Sequence, residues 1–355
     1  IRRQRQMCIR DSINSRDVDK LAHAIKSIIG SEIPKGIDEV IIEIIDCCSD
    51  LMKLNKLIKN LNIPQRFRIE LRHYDEDLGP AHQHNNGFKV ALKYNPSYIV
   101  FLDNDVEVDR KWLSKAIEFM EKHRDVAVAQ YMLISLHDRK SIDRYCNLVD
   151  PLLYGYHIYM GEDYHAVKHK LRPIKCFYPD GAAFIVRVNA IKKCLLNDGS
   201  IYNSAFFIVA DDLDFGWRVW LSGQKVVTIP NAVVHHMRSF KGLKVNPRFI
   251  YYQVRNKLLA MIINYELPNL LRFLTLYLVS TFLTALIVQK INATYSKAII
   301  KGIIDALKEL RLALTQRKHV QRYVRRVRDE YVLKTVMISL SLTTVSYTHL
   351  TLPTN

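Results

Sequence analysis

The sequence predicts an α/β protein on a mainly parallel sheet, with a helical region following it. Three observations carry this. Short Val/Ile/Leu runs of strand length alternate with amphipathic stretches of helical period through residues 16–236. Several of these runs end in acids or histidines, where open α/β sheets place their ligands. Beyond residue 241 long helical stretches take over, one of them almost wholly apolar.

In chain order, residues 16–29 carry Val18, Leu21, Ala22, Ala24, Ile25, Ile28 and Ile29 on one helical face, with Gly30 able to close the end. Residues 39–45 form a dense Val/Ile strand running into Asp46. Residues 51–61 read as helix and 67–71 as a short strand. Asp77-Leu-Gly79-Pro-Ala-His-Gln-His84-Asn85-Asn86-Gly87 is a turn feeding a helix through residue 94. Residues 98–102 are a buried strand. Residues 109–121 suit a helix with Asp109 as N-cap, and 126–134 suit a strand. Residues 136–172 read as an irregular insertion over the site. A strand over 181–188, a helix over 211–221 ended by Gly223, and short strands over 224–229 and 232–234 complete the alternation, which implies right-handed crossovers.

The chemistry begins where the strand at 98–102 stops. Asp103 and Asp105 are one residue apart, and they reach a common point only if the chain leaves strand geometry after Leu102. Two carboxylates aimed at one spot repel unless a cation separates them. Oxygen ligands suit Mg²⁺ or Mn²⁺, ions that also hold substrate phosphates. The same pair also reads as a polar turn closing a strand. Asp211, Asp212 and Asp214 fall in the first turn of a helix, where the dipole and free N–H groups favour carboxylates and keep a general base ionised. Ordinary capping explains them equally. Of His235 and His236, adjacent on a strand, only one can face a site.

The chain has 355 residues, 49% of them hydrophobic and 25% charged, which fits one large globular domain plus an appendage and excludes a disordered chain. The formal charge of +17 points to nucleic acid, an anionic membrane or phosphorylated substrates. Much of the excess lies at 311–328, which favours a local contact. Six cysteines without CxxC pairing read as reduced cytosolic thiols. Residues 267–289 are long enough to span a bilayer, and a buried helix is the other reading. An amphipathic helix over 296–314 and the basic 311–328 segment follow. Residues 1–12 and 345–355 resemble translated sequencing-adapter read-through and are set aside from the fold.

Taken in order, the acid after the second strand, the Gly/Asn-rich helix start, Leu-Asp103-Asn-Asp105, Asp180-Gly181-Ala-Ala-Phe-Ile-Val-Arg, Asp211-Asp212-Leu-Asp214-Phe-Gly-Trp-Arg218 and Val-Val-His resemble family 2 glycosyltransferases with a GT-A fold. The resemblance covers roughly residues 13–242 and continues more weakly through 252–256. It implies a GT-A domain over 13–245 and a membrane-associated helical region over 246–344. It implies that Asp103 and Asp105 bind Mn²⁺ or Mg²⁺ and the donor diphosphate, with His235 completing the metal site and His236 as substitute. It makes Asp212 the catalytic base beside Asp211. It places Asp46 on the nucleotide base and Asp180 and Gly181 beneath the sugar, and adds Gly79, Asn85, Asp214 and Arg218 to the binding set. Asp replaces Glu at 211, Cys47-Cys48-Ser49 stands for the usual Asn-Gly-Ser, and Asp77 and His84 replace the usual Asn and Arg. The family's first strand is expected to be missing.

The implied reaction is an inverting, metal-dependent sugar transfer from a nucleotide-diphosphate sugar to a glycan or lipid-linked acceptor. It would run at the cytoplasmic face of the cell membrane, which residues 267–289 and 311–328 contact. Two rivals remain: a haloacid-dehalogenase-type phosphatase with Asp103 as nucleophile, and a non-catalytic basic protein binding membrane or nucleic acid. The strand–helix units before Asp103 speak against the first. Three acid clusters left unexplained speak against the second, so nucleic acid is not the expected partner.

Overall fold

The structure is a computed structural model and describes residues 5–10, 18–237 and 246–339, the first of these as backbone only. Most of the two terminal segments set aside above lies outside these residues.

The sheet-forming part runs β1 (Arg5–Arg10), α1 (Val18–Ile29), β2 (Val40–Cys47), α2 (Leu51–Asn60), β3 (Phe67–Tyr74), α3 (Gly79–Ala91), β4 (Tyr98–Asp103), β5 (Val106–Val108), α4 (Trp112–Lys122) and β6 (Val126–Ser135). It continues with β7 (Ile142–Arg144), β8 (Cys146–Val149), β9 (Gly155–Ile158), α5 (Tyr164–Val167), β10 (Ala183–Arg187), α6 (Val188–Ile191), α7 (Asp211–Leu221) and β11 (Lys225–His236). Helices α8 (Pro247–Asn264), α9 (Leu267–Gln289), α10 (Ala293–Lys308), α11 (Leu310–His319) and α12 (Asp329–Val336) follow.

The main sheet has the order β3-β2-β1-β4-β10-β6-β11-β5, with β7 beside β6. β3, β2, β1 and β4 are parallel, as are β6 and β11. β10 lies antiparallel between β4 and β6, and β5 antiparallel on β11, so the sheet is mixed, with these strands running against the parallel majority. The insertion after β6 returns the chain at the Asp180-Gly181 turn, and a strand entering there runs back without a crossover helix.

The expected missing first strand is corrected by this topology. Arg5–Arg10 pairs with β2 on one side and β4 on the other. The ladder is built from backbone groups, which a proline-free segment supplies whatever its side chains, and without it two inner edges would stand unpaired. Three further expectations change. β11 is one strand whose register against β6 shifts between Ile229 and Val233, where Pro230 has no N–H to give. α4 starts at Trp112 without a side-chain cap, and Asp109 turns to His235 instead. The single amphipathic helix expected over 296–314 is two, α10 and α11, meeting at Glu309.

One apolar layer packs α1 and α4 on the sheet; the other holds α3, α7 and α8. The second layer continues into the C-terminal helices: Trp217 of α7 meets Tyr265 edge-on at 4.5 Å, and Tyr265 meets Phe273 of α9 at 5.2 Å. α9 buries Leu270, Phe273, Tyr277, Thr281, Ala285 and Val288 on one face. Its other face leaves Leu271, Leu276, Val279, Phe282, Leu283, Leu286 and Ile287 exposed. Two of the basic residues after α10 serve the fold: Arg317 donates to the Ile262 and Tyr265 carbonyls, and Arg325 to the Asn264 carbonyl while pairing with Asp329.

Candidate active site

β4 ends at Asp103, whose backbone N–H donates to the Ala182 carbonyl at 3.0 Å. The chain then turns at Asn104 and Asp105 into β5, the departure from strand geometry that the acid pair requires. β11 brings a histidine to the same place. Ligand atoms of Asp103, Asp105 and His236 all lie within 4.8 Å of one another. The histidine is His236, not His235. His235 faces the other way, 3.5 Å from Asp109, with its Nδ1 buried and without a hydrogen-bond partner. The bulge at residues 230–232 sets which of the two neighbours faces inward. His236 Nδ1 contacts the Asp143 carboxylate at 2.6 Å, and Nε2 lies 3.4 Å from Asp105. Burial pulls its pKa down, but the Asp105 and Asp143 carboxylates outweigh burial and hold it up to about 10. Two carboxylates and an imidazole oriented by a third carboxylate suit Mn²⁺ or Mg²⁺.

A cavity of about 480 Å³ takes in Asp103, Asp180, Gly181, Asp211 and Asp212. Asp180 accepts from the Ala182 N–H at 3.1 Å and lies 3.4 Å from Arg144, while Gln130 Oε1 accepts its own N–H. The loop before α7 is bent: Val209 and Ala210 have φ of 71° and 62°. Asn256 of α8 holds this loop, donating to the Ile208 carbonyl at 2.9 Å and the Val209 carbonyl at 2.7 Å. Asp211 and Asp212 therefore reach the cavity on a backbone fixed from the C-terminal helices.

Other residues of the expected set do not line the cavity. Asp214 and Arg218 are fully buried partners, 3.0 Å apart, with Asn264 donating to Asp214 and Arg218 donating to the Cys194 and Ile201 carbonyls. They fasten α7 rather than face a ligand. Asn85 is buried, donating to the Tyr202 carbonyl and accepting its N–H. Asp46 contacts His73 at 2.6 Å at the end of β2. Gly79 has φ of 73°, and a Cβ there would meet the Phe207 ring at 2.7 Å. Gly216 on α7 crosses so close to Tyr178 that a Cβ would fall 2.5 Å from its Cα.

Sequence reading missed Asp143, Arg144, His157, Gln253 and Lys257. The first three sit in the insertion, where no period places them. The last two sit on α8, which is buried without a break from Val254 to Asn264 directly after Gln253, so its pattern marks no functional face.

The Glycosyl transferase family 2 model matches residues 14–195, a little over half of the chain. No curated protein matches. Among solved structures, GalNAc-T7 with UDP, GalNAc and Mn²⁺ is similar at a TM-score of 0.54 and 12% identity, covering 91% of this chain and 59% of that one. Residues 1–349 of S. aureus TarS in complex with UDP-GlcNAc are similar at a TM-score of 0.50 and 17% identity, covering 93% and 92%. The chain thus spans under two thirds of GalNAc-T7.

Proposed function

We propose, from the premise that this chain belongs to glycosyl transferase family 2 and is a glycosyltransferase, that it moves a sugar from a nucleoside-diphosphate donor to an acceptor hydroxyl with inversion. One observation carries this: Asp103 of the acid–imidazole cluster shares a single cavity with Asp180, Asp211 and Asp212. Asp103, Asp105 and His236 would hold the cation, Mn²⁺ or Mg²⁺. When bound, it offsets the charge that builds on the leaving nucleoside diphosphate.

Asp212 takes the proton of the acceptor hydroxyl, whose oxygen bonds to the anomeric carbon as the bond to the diphosphate breaks on the opposite face. Asp212 suits this role better than Asp211, because it is half-exposed in the cavity while Asp211 is buried. Asp180 and Gly181 form the floor under the sugar. The similar structures hold UDP or a UDP-sugar, which makes UDP-sugars the first donors to test. A phosphatase with Asp103 as nucleophile does not fit the family match. In a thermal-shift panel of UDP-, GDP- and dTDP-sugars with Mn²⁺, one donor should stabilise the protein. Asp212→Asn should then lose about 10²–10⁴-fold in turnover while keeping donor binding. Turnover within a few-fold of the parent removes Asp212 from the role.

We also infer that α9 rests on a membrane. Its bare apolar face is larger than scattered surface leucines explain. The opposite face packs against the protein, so the helix lies on the bilayer rather than crossing it. Exposed Lys290, Lys297, Lys301, Lys308, Arg311, Lys318 and Arg322 add attraction to an anionic, cytoplasm-facing leaflet. That position suits a lipid-linked or surface-glycan acceptor.

A further inference from the structure

Lys257 is left over by the chemistry above. It is 5% exposed, yet it lines the cavity together with Gln253 one turn earlier on α8. Its ammonium stands over the Tyr154 ring, 4.9 Å from the centroid. Among the described residues no carboxylate is within ion-pairing distance of it, and Asp150 acts on it only through space. Burial lowers its pKa to about 8, with Asp150 pulling the other way. A buried cation without a counter-ion costs free energy, and an arriving anion would recover it.

We propose that Lys257 is the recognition point for an oxyanion, phosphate or carboxylate, carried by the acceptor. The proposal rests on the glycosyltransferase reading for the word acceptor, but not for the anion site itself. The position argues for the acceptor rather than the donor. The cluster suited to a pyrophosphate is built from β4, the turn after it, and β11. Lys257 instead belongs to α8 and leans on Tyr154, between β8 and β9. Its helix neighbour Asn256 anchors the loop that leads to Asp211 and Asp212. Tyr154 also meets Tyr277 of α9, ring centroids 6.2 Å apart, so the anion site borders the helix with the bare apolar face.

The test uses the full chain loaded with Mn²⁺ and UDP, or with GDP where UDP does not bind. Inorganic phosphate and glucuronate are titrated by calorimetry into the parent, Lys257→Met and Lys257→Arg. The parent and K257R should bind at least one of the two anions. K257M should bind it about ten- to a hundredfold more weakly, the loss of one charge-assisted contact. Nucleotide affinity should be equal in all three. Equal anion binding in K257M, or no anion binding by the parent, overturns the proposal. So does a nucleotide affinity that falls with K257M or is competed by phosphate, since that puts Lys257 on the donor. Melting curves show whether K257M is folded, and K257R carries the test if it is not: anion binding lost in a folded K257R also counts against the site. Absence of any nucleotide binding by the parent would instead count against the glycosyltransferase reading, and the anion titrations remain readable without nucleotide.

Discussion

Asn256→Ala separates a helix that merely packs from one that sets the reaction geometry. The carboxamide makes two donor bonds, at 2.9 and 2.7 Å, to the Ile208 and Val209 carbonyls, at the bent pair Val209 and Ala210. Each bond is worth about 0.5–1.5 kcal/mol net, so alanine removes about 1–3 kcal/mol and leaves two carbonyls in search of partners. Left-handed backbone at two non-glycine residues costs about 1–3 kcal/mol each. The strain of the pair, about 2–6 kcal/mol, is at least as large as what the bonds return, so the bend should relax once the bonds are gone. A shift of about 1 Å at Asp211 and Asp212 can cost on the order of 10²-fold in rate. The assay is steady-state transfer from whichever donor the thermal-shift panel selects, with a Mn²⁺–UDP titration of the same sample. The expected result is kcat down by about 10²-fold, nucleotide affinity nearly unchanged and a lower Tm. A lower Tm with kcat intact would refute the reasoning, as would a joint collapse of kcat and nucleotide affinity.

His236→Ala should weaken Mn²⁺ binding, and Asp143→Asn should weaken it about 10–100-fold through the lost orientation of the ring, while His235→Ala should leave it nearly unchanged; titration followed by electron paramagnetic resonance reads all three. Asp214→Ala strands Arg218 in the interior and should cost about 3–5 kcal/mol in urea unfolding. The depressed pKa of Lys257 gives a stability slope. Between about 8 and its ordinary 10.5 the unfolded chain holds the proton more tightly, so the contribution of this one group to stability should rise with pH there. K257M should remove that contribution, read as the difference between parent and variant below pH 10, before the opposing titration of Tyr154, raised from its ordinary 10.0 to about 12, sets in.

The alternation of strand and helix, the acid pair after β4 and the acids opening α7 were legible because each depends on local pattern. Three things were not. The choice between His235 and His236 hangs on a bulge that reverses facing, and a proline shows only that the ladder is interrupted, not how the register resumes. The motif Asp-Leu-Asp-Phe-Gly-Trp-Arg looked chemical throughout, but Asp214 and Arg218 spend their charges on each other and on carbonyls in the core. Their role follows from contacts with Asn264, 50 residues away. The basic run at 311–328 looked like a membrane patch, yet Arg317 and Arg325 turn inward to carbonyls at the end of α8. Charge counted along a sequence does not reveal which guanidinium groups close a helix end.

The shared core of α7 and the C-terminal helices has a practical consequence. Cutting the protein after residue 245 would not release a working catalytic half from a detachable tail. It would strip the covering from Trp217, remove the amide that meets Asp214 and free the bend before Asp211 in one stroke. Reducing the exposed apolar surface of this enzyme therefore calls for repainting the outer side of α9 with polar residues, not for shortening the chain.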